Sequence, residues 1–193
     1  DSTTGVLNQY GKITVNAGTD SPEVITKGSV LGNIGDTRAL SELIIEDYAA
    51  FYAGGKLKVN SIIFADNKSR LYAKGNVTIT GGTTGKGVFE TQGNIIFTGK
   101  LGQDKSVDNG NHVLSSIKLG GDLTLGAIGT PNLSAEIYAN NIESSNPGVD
   151  KRKIIIAHDS KIASDASADI EFVINNTKTL TLTGGTFAGT IDG

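Results

Sequence analysis

The sequence predicts an all-β chain wound as a right-handed parallel β-helix, a β-solenoid with coils of about 20 residues. Three observations carry this. The phrases "FYAGGKLKV" (51–59) and "LYAKGNVTI" (71–79) begin 20 residues apart and share one plan: an apolar residue, Tyr, Ala, a turn with Gly second, a polar residue, then apolar, polar, apolar. The tails of these phrases alternate with a period of two, which is strand behaviour. Gly makes up 26 of the 193 residues, with Thr, Asn, Ser, Ile and Val plentiful. That is the vocabulary of short strands joined by tight turns.

Followed along the chain, the pattern recurs. "GKITVN" (11–16) matches "GKLKVN" (55–60), about two periods on. The stretch 38–55, "RALSELIIEDYAAFYAGG", places Leu40, Leu43, Ile44, Tyr48 and Phe51 at helical spacing, with Asp36 or Thr37 as N-cap and Gly54 as a stop. Its end falls in the repeat register, and Leu43-Ile44-Ile45 parallels Ile62-Ile63-Phe64, so strand is the preferred reading over helix. "FETQGNIIF" (89–97) and "IKLGGDLTL" (117–125) carry the pattern again, and "IYANNIES" (137–144) repeats the Tyr-Ala pair with one turn residue fewer. "LTLTGGTF" (180–187) echoes "VTITGGTT" (77–84).

The Gly-Lys, Gly-Asn and Gly-Asp pairs before each tail are turn chemistry: Gly reaches positive φ, and Asn or Asp tolerates it. The expected inward residues are Ile13, Val15, Leu57, Val59, Val77, Ile79, Ile95, Phe97, Leu123, Leu125, Leu180 and Leu182. Roughly nine coils at about 4.8 Å give a rod on the order of 45 Å. The insertions 102–111 and 143–153 are expected to project as loops. A leucine-rich repeat shares the period, but its opening pattern fits only once, at "LSELII" (40–45). A β-sandwich also suits short strands and Gly-rich turns, although in-register repetition of turn residues argues against it.

Length and composition bound the function. The 193 residues suit a single domain, 1–193, expected to be a segment of a longer surface protein, since no Met is present and Asp1 opens the chain. The net charge of -3 argues against nucleic acid as a partner. The absence of Cys removes disulfides, thiolate metal sites and a Cys nucleophile. Neither a signal peptide nor an apolar run long enough to span a bilayer is present, so attachment to a membrane is expected only through a part outside this stretch.

Catalytic chemistry is sparse. The two histidines are His112 and His158, and "AHDSK" (157–161) sets His158 beside Asp159 and Ser160. Neighbours on a strand face opposite sides, so this is no triad. "GGTTGKG" (81–87) looks like a phosphate loop, but Thr80 stands where Gly is required and Gly87 where a hydroxyl is; a turn is expected. Asp104, Asp108, Asn109 and Asn111 offer oxygens to Ca²⁺ without the spacing of a known loop. The run 150–153, Asp-Lys-Arg-Lys, reads as a solvated loop. Asn67, Asn76, Asn132 and Asn175 open Asn-x-Ser/Thr triplets, as an Asn- and Thr-rich composition produces. No catalytic, cofactor-binding or metal residue is expected.

"GNVTITGG" (75–82), "GDLTLG" (121–126) and "TLTLTGGTFAGTIDG" (179–193), in a chain without Cys, resemble the passenger domains of bacterial type V autotransporters, most of all the rickettsial surface-cell-antigen type. The resemblance is one of texture and period over most of the chain. It implies a β-helical stalk at the cell surface of a Gram-negative bacterium, exported through the outer membrane by a C-terminal barrel and serving adhesion to or invasion of host cells. A host-cell surface protein or glycan is the implied partner, and a role in virulence follows from it. The Gly-Gly-Ala-Ile and Phe-x-x-Asn repeats of the chlamydial relatives are missing, "TPNL" (130–133) only approaches the Asn-Pro-Asn-Leu motif of two-partner secretion proteins, and no serine-protease motif occurs.

Two alternatives remain at this point. β-Helices also carry polysaccharide lyases and hydrolases, and Asp159, Lys161, Asp165, Asp169 and Glu171 form the one dense carboxylate group to nominate. A phage tail-spike segment is the other.

Overall fold

Strands stack in parallel into a solenoid of about seven turns, about 21 residues apart. The computed structural model describes residues 11–16, 26–107, 109, 111–126 and 134–193. The first turn carries β1 (Lys12–Val15) and β2 (Thr26–Val30), the second β3 (Leu40–Ile45), β4 (Ala49–Ala53) and the start of β5 (Leu57–Phe64). β5 bends into the third turn, which runs through β6 (Arg70–Ala73) into β7 (Val77–Gly85). β7 opens the fourth, completed by β8 (Val88–Thr91) and β9 (Ile95–Phe97). The fifth holds β10 (Gly99–Leu101), β11 (Ser116–Leu119) and β12 (Leu123–Leu125), and the sixth β13 (Ala135–Ser144) and β14 (Arg152–Ile156). β15 (Ser160–Ala166) and β16 (Ile170–Ile174) form the seventh, and β17 (Leu180–Leu182) and β18 (Thr190–Asp192) a last, partial rung.

The pairings define three walls. On the first, the inward column runs Ile13, Leu43, Ile62, Thr83, Leu101, Ile137, Ile162, Leu182. On the second it runs Gly28, Phe51, Leu71, Phe89, Ile117, Ile142, Ala166 and, through a single bridge, Phe187. On the third it runs Leu57, Val77, Ile95, Leu123, Ile154, Phe172, Ile191. From Leu43 to Ile162 the first-wall column is buried, as is the second from Phe51 to Ala166 and the third from Leu57 to Phe172. Each buried Leu, Ile or Phe adds about 1.5–3 kcal/mol, so the apolar column is the principal stabilising element of every turn. Thr83 is the polar exception, and its hydroxyl oxygen accepts the Gly102 N–H at 2.9 Å.

The 51–59 and 71–79 phrases stack in register, Phe51 on Leu71 and Leu57 on Val77. Phe89 and Ile117 continue the same column, as the spacing predicts. Residues 40–45 and 49–53 are strands, with Leu43, Ile44 and Ile45 opposite Ile62, Ile63 and Phe64. The helical spacing there arises because apolar positions from two walls meet across a corner at Glu46–Tyr48, where Tyr48 takes a positive φ of 56°. Each turn places strands on three walls, where a leucine-rich repeat has one strand per repeat, and among the described residues no α-helix occurs, which removes that alternative.

Several expectations need correction. "GKITVN" and "GKLKVN" are alike in sequence but lie on different walls: Ile13 and Val15 pair with Leu43 and Ile45, whereas Leu57 and Val59 pair with Val77 and Ile79. Leu180 and Leu182 join the first wall rather than the third, and Ile137 also lies on the first, with Ile142 continuing the Phe51 column. Ile13, Leu180 and Leu182 sit on terminal rungs and are half-buried instead of fully inward. The turns number about seven, not nine, because the path from Lys100 to its partner Glu136 consumes far more chain than an ordinary turn. The rod is accordingly roughly 34 Å long at about 4.8 Å per turn. "GGTTGKG" is mostly strand: it completes β7 through Gly85, with Thr83 turned inward. The 143–153 insertion shrinks to 145–151, since Glu143 and Ser144 end β13 and Arg152 opens β14. Asn132 and the 130–133 motif lie outside the described residues.

Candidate functional site

Most of the outer surface is plain strand face; one corner is built up. In β13, Glu136 and Tyr138 are two residues apart and therefore share the outward side of the first wall. Register brings Lys100 alongside Glu136 from the turn below and Lys161 from the turn above. Lys100 Nζ lies 3.1 Å from Glu136 Oε2, and the Tyr138 hydroxyl donates to the same oxygen at 2.6 Å.

Residues 102–107, with His112 and Val113, then fold back over this face. Gln103 N–H donates to the His112 carbonyl at 2.9 Å and Val107 N–H to the Asp104 carbonyl at 2.9 Å, closing the loop. Asp104 Oδ1 accepts the Ser106 N–H and hydroxyl, each at 3.0 Å, and Oδ2 lies 3.7 Å from Lys161 Nζ. Lys161 Nζ stands 5.3 Å from the centroid of the Tyr138 ring, a cation–π contact. Under this cover Tyr138 and Val113 are each only 5% exposed, although both lie outside the solenoid core.

The electrostatics follow from the contacts. Burial and the hydrogen bond to Glu136 push the Tyr138 phenol up to about 12. The hydrogen bond from Tyr138, with Lys100 beside it, holds the Glu136 carboxyl below its ordinary range. The two Ser106 hydrogen bonds, more than Lys161, lower Asp104.

Beside this network lies a cleft of about 410 Å³, lined by Tyr138, Asn140, Lys161, Asp165 and the 183–185 turn among others. A second cleft of about 330 Å³ shares Lys105, Val113 and Asn140 with it and extends to Asn67, Lys86 and Ser115. A third, of about 300 Å³, lies on the second wall along Tyr52 and Tyr72, whose rings stack 4.7 Å apart and 11° from parallel.

The nominated carboxylate group is dispersed. Lys161 faces outward on the first wall, Asp165 sits at the corner to the second, and Glu171 is on the third beside Lys153. Asp159 Oδ1 accepts the Thr179 N–H at 2.8 Å and Asp165 Oδ1 the Thr186 N–H at 2.6 Å, so both tie successive turns together. Asp169 contributes its carbonyl to the Arg152 N–H at 2.8 Å. The Ser160 hydroxyl donates to the His158 carbonyl at 2.6 Å, a local turn contact and not a nucleophile–base pair. Arg152 pairs with Asp150 at 3.2 Å. Of the four oxygens nominated for Ca²⁺, Asp104 is engaged by Ser106 and Lys161, and Asp108 lies outside the described residues. Among the described residues no group of three or more His, Asp or Glu could hold a metal ion.

Sequence reasoning missed the Lys100–Glu136–Tyr138–Lys161 network. The Glu-x-Tyr spacing on an alternating strand was a visible signal; the partners from other turns required the register. No protein-family model, curated protein or solved structure matches the chain.

Proposed function

We propose that this chain is a non-enzymatic segment of a bacterial cell-surface passenger, acting in adhesion to or invasion of host cells or as a structural stalk. The observation that carries the reading is the uniform parallel stack, with three walls in register and buried like-on-like columns from turn to turn. Such a rod holds itself straight by nearest-neighbour contacts and presents loops at a distance from its base. The dispersal of Asp159, Lys161, Asp165, Asp169 and Glu171 around the rod supports the same reading. So does the small net charge of -3, which leaves recognition to shape and local polar groups.

The test is adhesion of beads coated with the purified chain to cultured host cells, against beads coated with an unrelated β-protein. Saturable adhesion that free chain competes away supports the adhesive role. Adhesion no greater than the control leaves the stalk alone. Turnover of a polysaccharide that Asp169→Ala abolishes overturns the reading.

A further inference from the structure

We propose that the two clefts on either side of Lys105 and Val113 form one continuous groove that binds a neutral oligosaccharide. They meet at Lys105, Val113 and Asn140, which line both. The lining comes from successive turns: Asn67, then Lys86, Ser115, Asn140, Asp165 and the 183–185 turn. At about 4.8 Å per turn these rungs span roughly 24 Å along the axis, the shape of an extended chain and not of a compact metabolite.

The chemistry selects the class. Val113, Ala139 and Ala163 supply apolar floor, while amide, hydroxyl, ammonium and carboxylate groups surround it. A pyranose offers the complement, an apolar C–H face with hydroxyls around its edge that both donate and accept. An extended peptide finds no partner here, because the strand edges beneath the groove are used in the ladders. The Asp104 and Asp165 carboxylates offset most of the charge of Lys86, Lys105 and Lys161, with Asp104 already engaging Lys161, so the groove lacks the strong positive field that would favour a uniformly anionic chain. Two of the polar side chains are also held in place before any ligand arrives: Asp165 Oδ1 accepts the Thr186 N–H, and Lys161 sits between Asp104 and the Tyr138 ring, while the Asn140 backbone is anchored by its N–H on the Leu114 carbonyl at 2.9 Å. Preorganisation of this kind lowers the entropy lost on binding.

This goes beyond the surface-segment reading and does not depend on it, since a cell-adhesion failure leaves the groove's affinity untouched. The experiment is titration of the whole chain with cellohexaose, chitohexaose and mannohexaose as neutral probes and hexagalacturonate as the acidic one, followed by calorimetry and amide chemical shifts. At least one neutral hexamer is expected to bind saturably and more tightly than its dimer, shifting amides near Asn140 and Asp165. Asn140→Ala and Asp165→Asn, each shown folded by circular dichroism, are expected to weaken that binding about tenfold, the loss of one good hydrogen bond. Tyr72→Ala, on the second wall, should leave it unchanged. Saturation by none of the neutral probes, binding of hexagalacturonate alone, or affinity indifferent to both groove substitutions overturns the proposal.

Discussion

Asn94 stacks one turn above Asn76 and donates its backbone N–H to the Asn76 Oδ1 at 3.1 Å. The same corner repeats this contact: Asp122 N–H to Asn94 Oδ1 at 3.0 Å, Lys153 N–H to Asp122 Oδ1 at 3.0 Å, and Lys56 N–H to Asn33 Oδ1 at 2.9 Å. The corner thus satisfies its backbone donors from the turn below with side-chain oxygens instead of carbonyls. What the position requires is an acceptor of the right length, which is why Asp122 serves as well as Asn94.

Asn76→Ala removes the acceptor of the Asn94 N–H at an exposed corner. The expected cost is about 1 kcal/mol. Asn76→Asp keeps an oxygen in place and should recover most of it. Urea midpoints of the two variants against the parent decide this; equal loss in both would show that the acceptor is not what matters.

Gly55, Gly75, Gly93 and Gly121 precede those corner residues and lie on one another. A Cβ at Gly93 would come within 2.5 Å of the Gly75 carbonyl carbon, and one at Gly75 within 2.5 Å of the same atom of Gly55. The contact is backbone on backbone, so no side chain can swing away. Gly93→Ala must push two turns apart and should cost about 3 kcal/mol, the upper end of ordinary overpacking. Gln92→Ala, at the exposed neighbouring position, should shift the thermal midpoint little.

These two corner columns explain which parts of the fold were legible. Gly then Asn at 75–76 and 93–94 and Gly then Asp at 121–122 fall at one corner, with Gly55-Lys56 stacked beneath them, so the phrases at 51–59, 71–79, 89–97 and 117–125 stack as their spacing predicts. Where the marker is absent or shared, alternation alone cannot say which wall a strand joins. All three walls need the same apolar period, and Ile13 and Leu57 look alike while lying on different ones. The groove was half legible. The insertion at 102–111 announced itself by its length, but its return over Tyr138 depends on Asp104 meeting Lys161, residues brought together from different turns.

Stability should be graded along the rod, because each turn is held by its neighbours. Phe89 is fully buried between Leu71 and Ile117, and Phe89→Ala should cost about 3–5 kcal/mol. Phe187, on the last rung, keeps an edge-on contact with Phe172 at 6.0 Å but is only half-buried. Phe187→Ala should therefore speed hydrogen exchange in β17 and β18 while leaving β8 protected. Uniform acceleration along the whole chain would refute the graded picture.

The Glu136–Tyr138 pair should make stability depend on pH at both ends of the scale. Glu136 is held below its ordinary range by the Tyr138 hydroxyl and then by Lys100, so the folded chain binds its proton less readily than the unfolded one. Its contribution is present above the ordinary glutamate pKa, near 4.3, and is lost as pH falls through the lower folded value. Tyr138 behaves in the opposite sense. Burial and then Glu136 raise it to about 12, so the folded chain retains the phenolic proton longer. That contribution is full below about pH 10 and disappears as pH climbs toward the folded value. Glu136→Gln should flatten the acid limb of a urea-midpoint profile, and Tyr138→Phe the alkaline limb. The phenolate absorbance of the parent minus that of Tyr138→Phe should show one group with its midpoint near 12; a midpoint near 10 would mean that the phenol is neither buried nor bonded to Glu136.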